Sequence, residues 1–225
     1  MQKGKARPCD NYALFGHNCT SSTVETIDTD GPDSIVCGAR LWSSGVRKDG
    51  KVFLRLADGS SLEGRLHSSL TPELVELLKA RLIDLKKAYK QLAIHPRDAP
   101  FSIFGIKDLS GEWVFFEALV LGFGSRNAVM GFNLMARALR FIINAGLMIP
   151  VTHFFDDFSH VEPEVFSDMN CESVEWLFNL LGWQFKDGPE DLLPPSATFS
   201  PLGVRINFSI SGWVEISNTP KSQSC

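Results

Sequence analysis

No Cys-x-x-Cys pair occurs in this chain, and its five cysteines, Cys9, Cys19, Cys37, Cys171 and Cys225, are scattered and odd in number. Neither a disulfide framework nor a common zinc site is indicated. Cys9, His17 and Cys19 lie near one another in sequence, but their spacing fits no standard metal site. A reducing, intracellular setting, cytoplasmic or nuclear, is expected. No apolar run is long enough to cross a bilayer: residues 138–151 are strongly apolar, yet the run is short and Arg137 and Arg140 interrupt its approach. No leader-type segment, internal repeat or low-complexity tract is seen, and no membrane partner is expected. Charge of one sign is also lacking. Lys and Arg number 22 against 26 Asp and Glu, a net charge of −4, so overall charge does not announce a nucleic-acid partner.

What is present is an ordinary globular composition: 225 residues, 44% hydrophobic, with a mean hydropathy of +0.00. That is enough chain for a sizeable core, in one large domain or two small ones. A local basic stretch comprises Lys79, Arg81, Lys86, Lys87, Lys90, His95 and Arg97. It reads either as a solvated charged face or as a surface that contacts phosphate.

Along the chain, residues 1–13 open with Lys3, Lys5 and Arg7 and no capping pattern, as in a piece of a longer protein. Thr23 to Thr29 suits an extended segment and Asp33 to Trp42 a short helix. Lys51–Leu56 alternates as a strand, Asp58-Gly59 signals a turn, and Ser61–Leu66 suits the return strand. Thr71-Pro72-Glu73 has the chemistry of a helix start, with Leu74, Leu77, Leu78 and Leu82 as its apolar stripe. The pattern breaks near Arg81, and Leu82 to Leu85 reads as a buried strand that carries Asp84. Phe101–Ile106 and Trp113–Leu119 form an expected hairpin. A long helix follows from about Asn127 to Ala145, with Met130, Leu134, Met135, Ala138, Phe141 and Ile142 as its core face and Gly146 at its end. A second helix spans about Asp168 to Leu181, with Val174, Leu177, Phe178 and Leu181 inward and Gly182 after it. Trp183-Gln184-Phe185 suits a strand. Pro189, Pro194 and Pro195 mark a loop, and two last strands, about Thr198–Asn207 and Trp213–Ile216, join around Ser211-Gly212.

Residues 151–161 carry the least ordinary chemistry. Asp156 and Asp157 are adjacent carboxylates set among Phe154, Phe155 and Phe158, between two short strand-like runs. A tight hairpin turn favours Asn-Gly or Asp-Gly instead. Paired negative charges repel more strongly as the dielectric falls, and a divalent cation is the simplest compensation. The bland alternative is a solvated turn with accidental acids. From Leu82, setting aside the 101–119 hairpin, the order is strand, helix, strand, strand, helix, strand. That is the split β-α-β pattern of a ferredoxin-like α+β sheet, which would bring Asp84, Asp156 and Asp157 together at one edge.

The stretches Asp84-Leu-Lys-Lys-Ala-Tyr89-Lys-Gln, Leu121-Gly-Phe-Gly-Ser125 and Phe154-Phe-Asp-Asp157 resemble, in order, motifs A, B and C of the reverse transcriptase palm. Phe199-Ser-Pro-Leu-Gly203 is similar to the primer grip of that family, and Lys5-Ala-Arg7-Pro-Cys-Asp10 to a stretch of its fingers. The likeness spans nearly the whole chain and is nearest to retrotransposon enzymes.

The resemblance implies a right-hand polymerase palm over residues 81–225, partial fingers over 1–80, and a fingers-type hairpin inserted near 101–119. Thumb and ribonuclease H segments would belong to a longer polyprotein. The implied activity is RNA-directed DNA synthesis, with template, primer and deoxynucleoside triphosphates as partners. Asp84, Asp156 and Asp157 would bind two Mg²⁺ ions, with Mn²⁺ as a substitute. The ions would activate the primer 3′-hydroxyl and steady the leaving pyrophosphate. Tyr89 would exclude the ribose 2′-hydroxyl, Arg7 and Lys5 would hold the triphosphate, and Phe123 and Gly124 would line the nucleotide pocket. Lys186 stands where the family often places a lysine that protonates pyrophosphate. Phe199, Leu202 and Gly203 would form the primer grip. Departures are Gly122 in place of the usual Pro of motif B, Val129 where a Pro often ends it, and Phe154 in place of the usual Tyr. Two other classes stay open: an RNA-dependent RNA polymerase, which typically has Asp where this chain has Tyr89, and a truncated or domesticated relic that binds nucleic acid without turnover.

Overall fold

In the computed structural model, which describes residues 12–14, 16–22, 26–209 and 214–218, the chain divides into two units. One comprises Met1–Asp28 with Lys86–Arg137, the other Thr29–Leu85 with Ala138–Cys225. Of the expected extended segment Thr23–Thr29, residues 23–25 lie outside the described residues, and the rest is irregular.

The larger unit begins with helix α1 (Pro32–Gly45), somewhat longer than the expected Asp33–Trp42. Pro32 occupies the first turn, where a missing N–H is harmless, and Asp33 complements the helix dipole. Strands β1 (Lys51–Arg55) and β2 (Ser61–Arg65) form the expected hairpin, with Gly59 at φ 84° in its turn. Helix α2 (Pro72–Glu76) starts as the sequence indicates, with the Leu74 amide donating to Thr71 Oγ1 at 3.4 Å. It lasts barely more than a turn. Strand β3 (Leu78–Asp84) follows almost at once, so the expected helical stripe through Leu78 and Leu82 does not form. Continuous pairing of this segment with a later strand outweighs its local helical periodicity.

The smaller unit contains the hairpin β4 (Ile103–Lys107) and β5 (Trp113–Glu117), as expected. Helix α3 (Arg126–Ile142) spans the division between the units and continues into a π-turn, Ile143–Leu147. Its buried stripe is Ala128, Phe132, Ala136 and Leu139, at i, i+4, i+8 and i+11. The expected core face is the wrong one: Leu134, Met135, Phe141 and Ile142 are exposed. Small alanines on either side of Phe132 allow close approach, so side-chain bulk misidentified the inward face. Gly146 sits inside the π-turn, and Met148, at φ 58°, is the residue that ends it.

The larger unit resumes with β6 (Val151–Phe154), β7 (Asp157–Pro163) and α4 (Glu164–Leu180). Its sheet has the order β3-β7-β6, with β7 antiparallel to both neighbours, so the outer strands run parallel. This is the strand arrangement expected of a split β-α-β unit in an α+β chain. The expected strand at Trp183–Phe185 is reduced to a single antiparallel bridge between Phe185 and Leu85. A second sheet, β10-β9-β8, is built from β8 (Thr198–Phe199), β9 (Val204–Asn207) and β10 (Glu215–Asn218). The expected joint at Ser211-Gly212 lies outside the described residues.

Strand alternation gives the main sheet two covered faces. Leu78, Ala80 and Val161 pack with Ile35, Val36 and Ala39 of α1 and with Ile206. On the other face, Phe158 meets Phe178 of α4 edge to face, with ring centroids 5.3 Å apart. Asp30 anchors the approach to α1: its Oδ2 accepts from the His153 amide at 2.9 Å and from Arg140 Nη1 at 3.0 Å. Among the described residues no helix is long and apolar enough to cross a membrane.

Helix α4 closes with a Schellman motif. The Trp183 amide donates to the Phe178 carbonyl (2.8 Å) and the Gly182 amide to the Asn179 carbonyl (3.1 Å), with Gly182 at φ 78°. Leu181, expected to face inward, is instead exposed at this cap. A Cβ at Gly182 would meet nothing within 4 Å, so its cost would be conformational alone. Gly182→Ala is therefore expected to destabilise the protein by about 1 kcal/mol, measured by urea unfolding.

Candidate active site

The backbone fixes where the three acids lie. Asp84, the last residue of β3, stands directly opposite Asp157, the first of β7. Opposed residues in an antiparallel pair project to the same side with Cβ atoms about 5 Å apart. The ladder continues one step further, because the Leu85 amide donates to the Asp156 carbonyl at 3.0 Å. The turn between β6 and β7 is Phe155-Asp156, so only one acid of the pair belongs to the turn, while Asp157 is already in the strand. Phe155 takes the left-handed position, φ 52°, which a tight turn normally gives to Gly or Asn. Its ring meets Phe154 edge on, with centroids 5.1 Å apart.

Lys186 completes the group. Its amide donates to the Asp84 carbonyl at 2.9 Å, beside the Phe185–Leu85 bridge, and its ammonium is paired with Asp84 Oδ2. The carboxyl of Asp157 is pushed up to about 6, by burial first and then by the negative charges of Asp84 and Asp156, with Lys186 opposing. One ammonium thus leaves the strand end short of positive charge. A divalent cation suits half-buried, oxygen-only donors of this kind.

The match to the expected site is partial. All three aspartates and Lys186 come together at one strand end. However, the one trio of metal-ligating side chains whose ligand atoms all lie within 4.8 Å of one another among the described residues is His160, Glu162 and Cys171. The aspartates are not drawn that close. Lys186 is paired with Asp84.

Tyr89, Phe123 and Gly124 belong to the smaller unit. The half-buried Tyr89 ring packs against Phe132 (4.8 Å, 32°) and meets Phe123 edge on (5.6 Å, 89°). Gly124 adopts φ 107°, a conformation open to glycine, and its carbonyl accepts from Asn18 Nδ2 at 3.1 Å. Asn18 Oδ1 in turn accepts from the Arg126 amide at 2.9 Å, which ties this loop to the start of α3. Asn18 was not singled out in the sequence, and its partners are more than a hundred positions away. Gly122, the departure from the usual Pro, also has a local reason: a Cβ there would collide with the Tyr12 hydroxyl.

Phe199 stacks on Phe208 at 6.0 Å, and the next turn places Leu202 (φ 52°) and Gly203 (φ 78°) in successive left-handed conformations between β8 and β9. Lys5 and Arg7 lie outside the described residues. Two members of the basic stretch are internal ion pairs: Lys79 with Glu164 (2.6 Å) and the buried Arg81 with Glu175 (2.6 Å), while Lys86, Lys87, Lys90, His95 and Arg97 are exposed. No protein-family model matches the chain, and no curated protein matches it.

Asp157 sets a pH dependence. Its folded carboxyl keeps a proton up to about 6, whereas the unfolded one loses it in the ordinary aspartate range. The native state therefore loses stability as pH rises through that window. Asp157→Asn is expected to be more stable than the parent at pH 8, on the order of 1 kcal/mol after allowance for solvent screening, with the gain fading toward pH 4. Thermal melts at the two pH values check it, and an equal gain at both would contradict it.

Proposed function

We propose that this chain carries out template-directed DNA synthesis on an RNA or DNA template, as an RNA-directed DNA polymerase of the retrotransposon type. The larger unit would be the core of its palm. The observation that carries the reading is the cross-strand pairing of Asp84 with Asp157, one residue from Asp156, on a sheet of order β3-β7-β6. When bound, two Mg²⁺ ions, or Mn²⁺ in their place, would supply Lewis-acid activation of the primer 3′-hydroxyl and neutralise the leaving pyrophosphate.

The chain's own residues would do the rest. Asp84 and Asp156 would be the principal ligands and Asp157 the third. The Lys186 ammonium, already beside Asp84, would give a proton to the departing pyrophosphate. Tyr89 would meet the sugar, with Phe123 and Gly124 lining its pocket, and Lys5 and Arg7 would hold the triphosphate. The turn carrying Phe199, Leu202 and Gly203 would grip the primer. Synthesis would take place in the cytoplasm or nucleus. The Lys186–Asp84 ion pair also favours a second reading, a domesticated relic that binds nucleic acid without turnover, since it ties up a ligand.

Primer extension on an RNA template with Mg²⁺ separates these readings. Extension with deoxynucleotides is expected, and Asp156→Asn should lower it by about three orders of magnitude or more with an unchanged melting profile. Binding without extension would favour the relic, and a preference for ribonucleotides an RNA polymerase. In the same assay Tyr89→Ala should raise ribonucleotide relative to deoxynucleotide use roughly tenfold. An unchanged ratio would remove Tyr89 as the sugar discriminator.

A further inference from the structure

The α4 side of the main sheet holds a second cluster that polymerase chemistry does not use. Alternation along β7 turns Phe158, His160 and Glu162 to this face, and Cys171 reaches it from α4. All three potential ligands are buried: His160 is 1% exposed, Glu162 0% and Cys171 4%. His160 Nδ1 lies 2.9 Å from Glu162 Oε1 and 3.0 Å from Oε2, while its Nε2 lies 4.0 Å from Cys171 Sγ. One donor atom from each residue falls within 4.8 Å of the other two. Asn170 Nδ2 donates to Glu162 Oε2 at 2.9 Å and steadies that carboxylate.

The clustering of three buried ligand types points to a ligand, and the charge balance of the pocket admits one. A fully buried carboxylate is costly unless its charge is met. Of the cations on the facing strand, Lys79 pairs with Glu164, and Arg81 pairs with Glu175 and donates through Nε to the Leu193 carbonyl at 3.1 Å, while its guanidinium also interacts with Cys171, where it favours a thiolate. Counted with both protons in place, an imidazolium at His160, the Glu162 carboxylate and a cysteine thiol sum to zero charge. A divalent ion with a neutral imidazole, the carboxylate and a thiolate also gives zero. One divalent ion can therefore replace two protons without changing the charge of the core. Donors of one sulfur, one nitrogen and one oxygen suit zinc, and not magnesium. In a tetrahedral zinc site the ligand atoms stand about 3.3–3.8 Å apart. His160 turns Nδ1 to Glu162 and Nε2 to Cys171, so a single ion would use one ring nitrogen, and the one-atom-per-residue set, within 4.8 Å, would have to contract by up to about 1–1.5 Å through side-chain rotation.

We propose that His160, Glu162 and Cys171 form a structural site for a zinc-class divalent ion that locks helix α4 to the central strand β7. Bonds form from the metal to one ring nitrogen, one carboxylate oxygen and the sulfur. The ring proton and the thiol proton leave to solvent, and nothing is oxidised or reduced. The site is independent of the polymerase reading, because β7 sends Asp157 to the opposite face.

The test uses the full chain, unfolded with chelator under a non-thiol reductant and refolded with one equivalent of Zn²⁺ or Co²⁺. Stoichiometric metal retention is expected, with a melting midpoint raised by about 5 °C or more. The Co²⁺ form should show a near-ultraviolet thiolate charge-transfer band. Cys171→Ser should lose the band and the shift. Asp84→Asn with Asp156→Asn should keep both, and so should a chain with Cys9, Cys19, Cys37 and Cys225 all replaced by Ser. No band in the parent chain, a band that survives Cys171→Ser, or one lost on replacing the other four cysteines would each overturn the proposal.

Discussion

Two like charges face each other across the last rung of a β-ladder, and much of the structure can be understood as holding them there. Asp84 and Asp157 would separate if the local interaction decided, since directly opposed like charges destabilise a strand pair. Their register is instead imposed by what lies behind them. Ile83 and Phe158 are fully buried at the neighbouring rung, and five further pairs run back to Leu78 and Pro163. A one-residue slip would move every side chain of β3 to the wrong face. The core thus fixes the acids, and Lys186 offsets part of the repulsion through Asp84. Groups held in mutual repulsion on rigid strands would be prepared for a cation, whose binding would relieve that repulsion.

Strand β7 does two jobs by alternation. Its odd-numbered positions, from Asp157 to Val161, belong to the α1 face; its even-numbered ones, Phe158, His160 and Glu162, belong to the α4 face. The acidic end and the buried His-Glu-Cys cluster are therefore neighbours in sequence on opposite sides of one sheet. Both put charge on the most constrained strand of the unit. One end is reachable by solvent and short of positive charge, while the other is sealed and electrically balanced. That contrast would suit an exchanging ligand at the first and permanent occupation at the second.

Sequence patterns carried the strand and turn framework well where local chemistry decides. The hairpins at residues 51–65 and 103–117, the Thr71 cap and the helix stop at Gly182 all rest on turn and cap residues that act within a few positions. They failed where distant partners decide. β3 begins at Leu78 because a strand eighty residues later pairs with it, and no local window contains that partner. The inward face of α3 follows close approach at Ala128 and Ala136, whereas bulk pointed to Leu134 and Phe141. Asp156 and Asp157 stand out because adjacent carboxylates among aromatics are unusual in any context, whereas Asp84 joins them only through the strand order that sets it opposite Asp157. Asn18, Asp30 and the Arg81–Glu175 pair were missed because each acts on segments remote in sequence. The His160-Glu162-Cys171 trio has a weak local signal, a His-x-Glu on a strand, and only the docking of α4 turns it into a cluster.

The polymerase reading rests on divalent-cation binding at the strand end carrying Asp84, Asp156 and Asp157. Anomalous scattering from crystals of the protein soaked in Mn²⁺ tests it most directly. A manganese peak is expected within coordination distance of Asp84 and Asp156, with the Lys186 ammonium moved off the Asp84 carboxylate. Strong manganese peaks elsewhere, with none at this strand end and Lys186 still on Asp84, would contradict it.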